Sequence, residues 1–140
     1  MNQNRLYKYK CKVEFEDCDM QNITHHPKLL CYLERARLDS LRQESYTYDN
    51  MIKDNTCFVI TDMKLKFINP CFYNDDLIII TQVAGVYAHS LKINQIITKK
   101  YSSLPLNDLI SDNNSCLFSS MRLSMVNIKN RDPIKNSEEI

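Results

Sequence analysis

The hydrophobic period of this sequence switches twice, and that switch constrains the fold more than any other feature. Residues 6 to 16, LYKYKCKVEFE, alternate. Tyr7, Tyr9, Cys11, Val13 and Phe15 share one parity, and Lys8, Lys10, Lys12, Glu14 and Glu16 the other. A period of two predicts a half-buried strand. The next segment, DCDMQNIT, carries the Asp and Asn residues of turns and predicts a loop. Then the period lengthens. Pro27 stands where a proline opens a helix. Leu29, Leu33 and Ala36 follow at steps of four and three, with Leu30, Leu33, Arg37 and Leu41 on a neighbouring stripe. This predicts one long helix over about residues 27 to 44. The segment TYDNMIKD adds one or two helical turns.

From Cys57 the period returns to two. Val59, Thr61, Met63, Leu65 and Phe67 alternate with Asp62, Lys64 and Lys66, until Asn69-Pro70 stops the run. Residues 77 to 84, LIIITQVA, are almost all apolar or β-branched and predict a central strand. Residues 89 to 100 place Leu91, Ile93 and Ile97 on one parity, and residues 115 to 128 do the same with Leu117, Met121, Leu123 and Met125. Between them YSSLPLNDLISDNN reads as a loop with room for a short helix. The tail, KNRDPIKNSEEI, is polar and reads as a fraying end. Strand, helix, then four strands joined by short polar links predict one long helix against an antiparallel sheet, an α+β arrangement. At 140 residues the chain has room for one core, so residues 1–140 are expected to form a single domain.

Composition excludes several classes. A chain that is 44% hydrophobic and 25% charged can bury a core and is not a disordered segment. The 18 Lys and Arg against 17 Asp and Glu give no concentrated positive field, so no nucleic-acid partner is expected. The only glycine, Gly85, removes Gly-rich phosphate loops from consideration. No apolar run approaches the roughly 20 residues of a membrane span. The start, MNQNRLYKYKCKV, has no apolar core of a signal peptide, so the expected location is the cytoplasm. The six cysteines form no Cys-x-x-Cys pair, and free, buried or half-buried thiols are expected.

Chemistry concentrates in the loop before the helix. Glu16, Asp17 and Asp19 stand there with His25 and His26. A helix N-terminus presents unpaired N–H groups and partial positive charge, and can hold a developing oxyanion. A carboxylate beside it can act as nucleophile or general base. The plainer alternative is a set of capping acids and surface histidines. A metal on Asp19, His25 and His26 is disfavoured, because adjacent helical residues point about 100° apart and His-x-x-x-His is absent. Cys18 lies among carboxylates that weaken its thiolate. Cys31 is expected to pack in the helix, and His89 to hydrogen-bond at a strand edge. Arg35 and Arg37 read as a solvated face paired with Glu34 or Asp39.

Residues 13 to 42, VEFEDCDMQNITHHPKLLCYLERARLDSLR, resemble the opening of the hotdog-fold acyl-CoA thioesterases of the 4-hydroxybenzoyl-CoA thioesterase-like family, including its Tol–Pal-associated subgroup. The matches are Asp17 and Asp19, then His26, then Glu34, Ala36 and Arg37. FVITDMKLKFINPCFYNDDLIIIT, residues 58 to 81, is similar to the family's second strand, proline turn with an acidic pair, and third strand. The tail from Val126 is similar to the family's ending.

The resemblance implies a hotdog fold, a long central helix wrapped by a five-stranded antiparallel sheet. It implies a homodimer joined edge to edge, often paired again into a homotetramer, with active sites at the dimer interface. Asp19 takes the place of the catalytic carboxylate, as nucleophile or general base. The His26 N–H takes the oxyanion place, and the His25 and His26 side chains are expected to touch substrate. The expected reaction is hydrolysis of an acyl thioester, first of all acyl-CoA, with no metal or other cofactor. The rivals are an acyl-carrier-protein thioesterase of a lipid or polyketide pathway and a non-catalytic acyl-binding hotdog module. The sequence departs from the family at Gln21 and Asn22, where small residues are usual, at Lys28, where Asn is common, and in the length of residues 101–114.

Overall fold

The structure, a computed structural model, describes residues 5–134. Its elements are β1 (Leu6–Lys12), α1 (His26–Gln43), α2 (Tyr48–Lys53), β2 (Thr56–Phe67), β3 (Asp76–Val86), β4 (Leu91–Thr98), α3 (Leu106–Leu109) and β5 (Ser115–Asn127). The strands form one antiparallel sheet in the order β1-β3-β4-β5-β2. This is the hotdog fold in the α+β class. Among the described residues no helix is long and apolar enough to cross a membrane.

The pattern of small steps in α1 explains its seat. Leu29, Tyr32, Leu33 and Ala36 are buried and pack on Leu77, Ile79, Ile97 and Leu117 of the sheet. Burying a leucine side chain contributes about 1.5–3 kcal/mol, so this seam fixes the helix on its sheet. On the other sheet face α3 sets Leu106 and Leu109 over Ile80 and Ile96. The segment 101–114 is therefore a cover over the outer face, which its apolar Leu-x-x-Leu spacing makes intelligible.

Four local expectations need correction. β1 ends at Lys12, and residues 15–17 form a 3-10 turn that leaves Phe15 76% exposed. Parity continued past the point where the backbone turned. In β2 a bulge falls between Ile60 and Asp62. An extra residue reverses which parity faces inward, so Phe58 and Met63 both pack inward, against the Val83–Ile93 cluster, although their parities differ. Val59 and Thr61 are exposed. Residues 129–134 do not fray. They fold back through a Val126–Pro133 bridge and an Ile134 N–H to Met125 carbonyl bond of 2.8 Å. Residues 135–140 of that tail lie outside the described residues. Lastly, His89 is exposed in the turn between β3 and β4 rather than at a strand edge.

The six cysteines are free thiols. Cys31, expected to pack, is exposed, because position 31 falls off the Leu29–Leu33–Ala36 stripe.

Candidate active site

The loop between β1 and α1 is tied at both ends. A Cys18–Thr24 bridge closes it, and the Asp19 N–H donates to the Ile23 carbonyl at 2.9 Å. At its tip Asn22 adopts φ 62°, a left-handed conformation that Asn tolerates better than most residues. The segment after β2 supports it from below. Thr24 donates to the Cys71 carbonyl through its N–H at 2.8 Å and its hydroxyl at 3.0 Å. The Tyr73 N–H donates to the Asn22 carbonyl at 3.0 Å.

Within this frame Asp19 is exposed and one of its oxygens is fixed. Oδ1 accepts the N–H groups of Gln21 at 2.8 Å and Ile23 at 3.1 Å. Oδ2 carries no hydrogen bond among the described residues. Two backbone bonds hold the carboxylate through one oxygen and leave the second without a hydrogen bond among the described residues.

Asp17 is different. It is 5% exposed, and its Oδ2 accepts the Tyr32 hydroxyl at 2.6 Å. Lys28 Nζ lies 3.8 Å from its Oδ1. Burial, then the Asp17 carboxylate, pushes the Tyr32 hydroxyl well above its ordinary range. The Asp17 carbonyl also accepts the His25 N–H at 2.9 Å. Asp17 therefore fastens the loop to the helix start from both its side chain and its backbone. In the sequence it stands beside Asp19 in the acidic motif and this role does not show; Lys28 and Tyr32, in the first and second turns of α1, carried the signal.

His25 is the N-cap of α1 and is extended, with its carbonyl accepting from Lys28 at 3.0 Å. His26 opens the helix, exposed, its ring stacked on Phe67 of β2 with centroids 4.2 Å apart. Pro27 has no N–H to offer. The His26 N–H has no hydrogen bond among the described residues, so it is the open donor at this helix tip. His25 and His26 thus stand at the same helix start, but only His26 is pinned, by Phe67.

Of the two helix arginines Arg35 is exposed, as expected of a solvated face, and Arg37 departs from it. Arg37 is half-buried, and its Nη1 donates to Gln95 Oε1 at 3.0 Å. Gln95, fully buried in β4, in turn donates to the Leu33 carbonyl and Thr81 Oγ1, each at 3.0 Å. Burial draws the Arg37 guanidinium down, and the Glu34 charge opposes that. Asp39 pairs with Arg42 instead. Around Cys18, burial and then the charges of Asp17 and Asp19 push the thiol up, against a lowering hydrogen bond with Thr24. No cluster of three or more metal-ligating side chains occurs among the described residues.

A carboxylate with one free oxygen and a helix start with one free N–H, joined by a short pinned loop, are groups that acyl transfer can use. Residues 13–139 match the thioesterase-like superfamily, and the chain belongs to it. Among curated relatives, an acyl-CoA thioester hydrolase YbgC of Escherichia coli is 25% identical over 99 residues, 71% of this chain and 74% of that protein. An acyl-CoA thioesterase YbgC of Helicobacter pylori is 33% identical over 76 residues, 53% of each chain. A solved 1,4-dihydroxy-2-naphthoyl-CoA thioesterase from Synechocystis shares the fold with a TM-score of 0.79 at 13% identity, covering 96% of this chain and 92% of its own.

Proposed function

We propose that this chain is an acyl-CoA thioesterase whose residues Asp19 and His26 carry the reaction. The observation behind the reading is that Asp19 Oδ2 and the His26 N–H, at the two ends of one loop, carry no hydrogen bond among the described residues. The thioester carbonyl accepts the His26 N–H, and the partial positive charge of α1 favours the oxyanion as it forms. Asp19 either attacks the carbonyl carbon or takes a proton from the attacking water. Collapse of the oxyanion expels the thiolate, which leaves as CoA thiol once protonated, and water supplies the oxygen of the acid product. Every step uses groups of the chain and water.

His25 flanks the same helix start and would border the bound thioester. The domain acts as one unit in this reading, in the cytoplasm, and a homodimer through β2 encloses the site. A homotetramer would add a second pairing without changing the chemistry.

The test is release of free thiol from acyl-CoAs by the purified protein and by Asp19→Asn. Wild-type release that falls about 10²–10⁴-fold in Asp19→Asn, the range of a lost acid–base group, supports the reading. Equal activity of the two proteins refutes the role of Asp19. Release from acyl-carrier-protein thioesters alone would change the carrier but keep the mechanism.

A further inference from the structure

The acidic pair that follows Pro70 divides its work much as Asp17 and Asp19 do. Asp76 faces solvent at the start of β3, its Oδ1 3.3 Å from Lys12 Nζ. Asp75 turns back into its own turn. Its Oδ2 accepts the Phe72 N–H at 2.8 Å, and its N–H donates to the Phe72 carbonyl at 3.1 Å. Residues 72–75 are thus closed from both sides, with Asn74 at φ 71° between them. Lys99, just past β4, holds the same carboxylate oxygen. Its Nζ lies 3.3 Å from Asp75 Oδ2 and 5.1 Å from the centre of the Phe72 ring.

Reversing the chain between β2 and β3 needs only such a turn, but this one also carries the loop that holds Asp19. At the entry of that loop Val13 donates to the Asp75 carbonyl at 2.9 Å and accepts the Asn74 N–H at 3.0 Å. At its exit Ile23 and Phe72 form a bridge, flanked by the Thr24 bond to Cys71 and the Tyr73 bond to Asn22. The turn therefore fixes the chain on both sides of Ile23. Ile23 fixes Asp19 twice: its N–H donates to Asp19 Oδ1 at 3.1 Å, and its carbonyl accepts the Asp19 N–H at 2.9 Å. The other donor to Oδ1, the Gln21 N–H, lies two residues from Asp19 and moves with it. Ile23 is the donor of the two that refers the carboxylate to the sheet. The links run without a gap from Lys99 to Asp75, Phe72, Ile23 and the Asp19 carboxylate.

We infer, on the assignment of Asp19 and His26 proposed above, that Asp75 is a positioning residue for the reaction. Through Phe72 and Ile23 it aims the Asp19 carboxylate at a thioester carbonyl held on the His26 N–H. A carboxylate held by Gln21 alone would keep its chemistry and lose its aim. A misplacement of about 1 Å costs on the order of 10²-fold in rate. The loss falls on kcat, because the aim matters where Asp19 meets the reacting carbon and not in the binding of the rest of the substrate.

The test is a series at one position: Asp75→Asn, Asp75→Ser and Asp75→Ala. For each, kcat and KM are measured with an acyl-CoA at a temperature where circular dichroism shows the variant folded. Asn keeps an acceptor oxygen for the Phe72 N–H and loses the ion pair with Lys99. Ser makes the same kind of turn bond more weakly, and Ala makes none. Asp75→Ala should lose about 10–10²-fold in kcat with little change in KM. Asp75→Asn should stay within about fivefold of wild type, since a partly exposed ion pair contributes little, and Asp75→Ser should fall between. Equal kcat in wild type and Asp75→Ala, or a loss borne by KM, overturns the inference. If Asp75→Ala does not fold, Asn and Ser decide, and equal kcat in those two overturns it. The amide proton resonance of Ile23 reports the bond to Asp19 without turnover. It should move upfield in Asp75→Ala or Asp75→Ser, while that of Leu33 in α1 stays. If the wild type turns over no thioester, the role of Asp19 in hydrolysis fails. The Ile23 resonance then decides alone whether Asp75 holds the carboxylate, and an unmoved resonance overturns that as well.

Discussion

Asp17 and Asp19 sit two residues apart, yet one is enclosed under Tyr32 and the other faces solvent. The difference is testable at single atoms. Tyr32→Phe removes the hydroxyl and leaves a buried carboxylate oxygen without its partner. The expected loss of stability is about 1–3 kcal/mol, read from urea unfolding. The pH dependence follows from the raised Tyr32 value. Below about pH 10, the ordinary phenol range, the contribution of the pair is complete. It declines as pH rises towards the folded value, because only the unfolded chain releases the proton readily. Wild-type stability should therefore fall more steeply at high pH than that of Tyr32→Phe. Asn22 gives a backbone counterpart. Its φ of 62° predicts that Asn22→Gly is tolerated, while Asn22→Ala costs about 1–2 kcal/mol and loosens the Asp19 turn. A loss equal in both variants would show that the Asn side chain, not the conformation, matters. The acidic motif was legible in the sequence, since its residue types and order are local. The division of labour within it was not, because Tyr32 reaches Asp17 across a folded loop.

At the scale of elements, the long helix was legible because its apolar steps repeat without interruption from Leu29 to Leu41. The five strands were legible for the same reason. What escaped was where a pattern and the backbone part company. Parity ran on through Val13 and Phe15, although the strand had ended at Lys12. A bulge of one residue inverted β2, and no residue type there announced it. Arg37 sits in a run of alternating charges that reads as a solvated face, yet its partner Gln95 lies 58 residues away on the sheet. Two measurements weigh these elements. Leu33 is fully buried in the seam between α1 and the sheet, so Leu33→Ala is expected to lower unfolding free energy by about 2–5 kcal/mol. A loss under 1 kcal/mol would mean that α1 is not anchored there. Thiol labelling reads the same packing: Cys31 should react in the native state, and Cys71 and Cys116, each 1% exposed, only on unfolding.

For the whole molecule the open question is what covers the two ends of the sheet. β1 forms one edge, seven residues long, with Lys8, Lys10 and Lys12 exposed along it. Short, charged edges resist further pairing. β2 forms the other edge and is twelve residues long, with Val59 and Ile60 each 42% exposed and Phe67 47% exposed. A long edge of this kind is a template for another strand, and a second copy of β2 satisfies it by two-fold symmetry. Phe67 carries the ring of His26, so a partner on this edge would border the helix start as well. The expected native mass is therefore twice the 16.5 kDa of the chain or a multiple of that. Sedimentation measures it, and dilution provides the functional half of the test. If the partner encloses the site, specific activity falls in step with the dimer fraction as the protein is diluted. A dilute monomer that keeps full turnover would place the whole site within one chain. Its Asp19 and His26 would then have to exclude water without help from a neighbour, although both are exposed in the single chain.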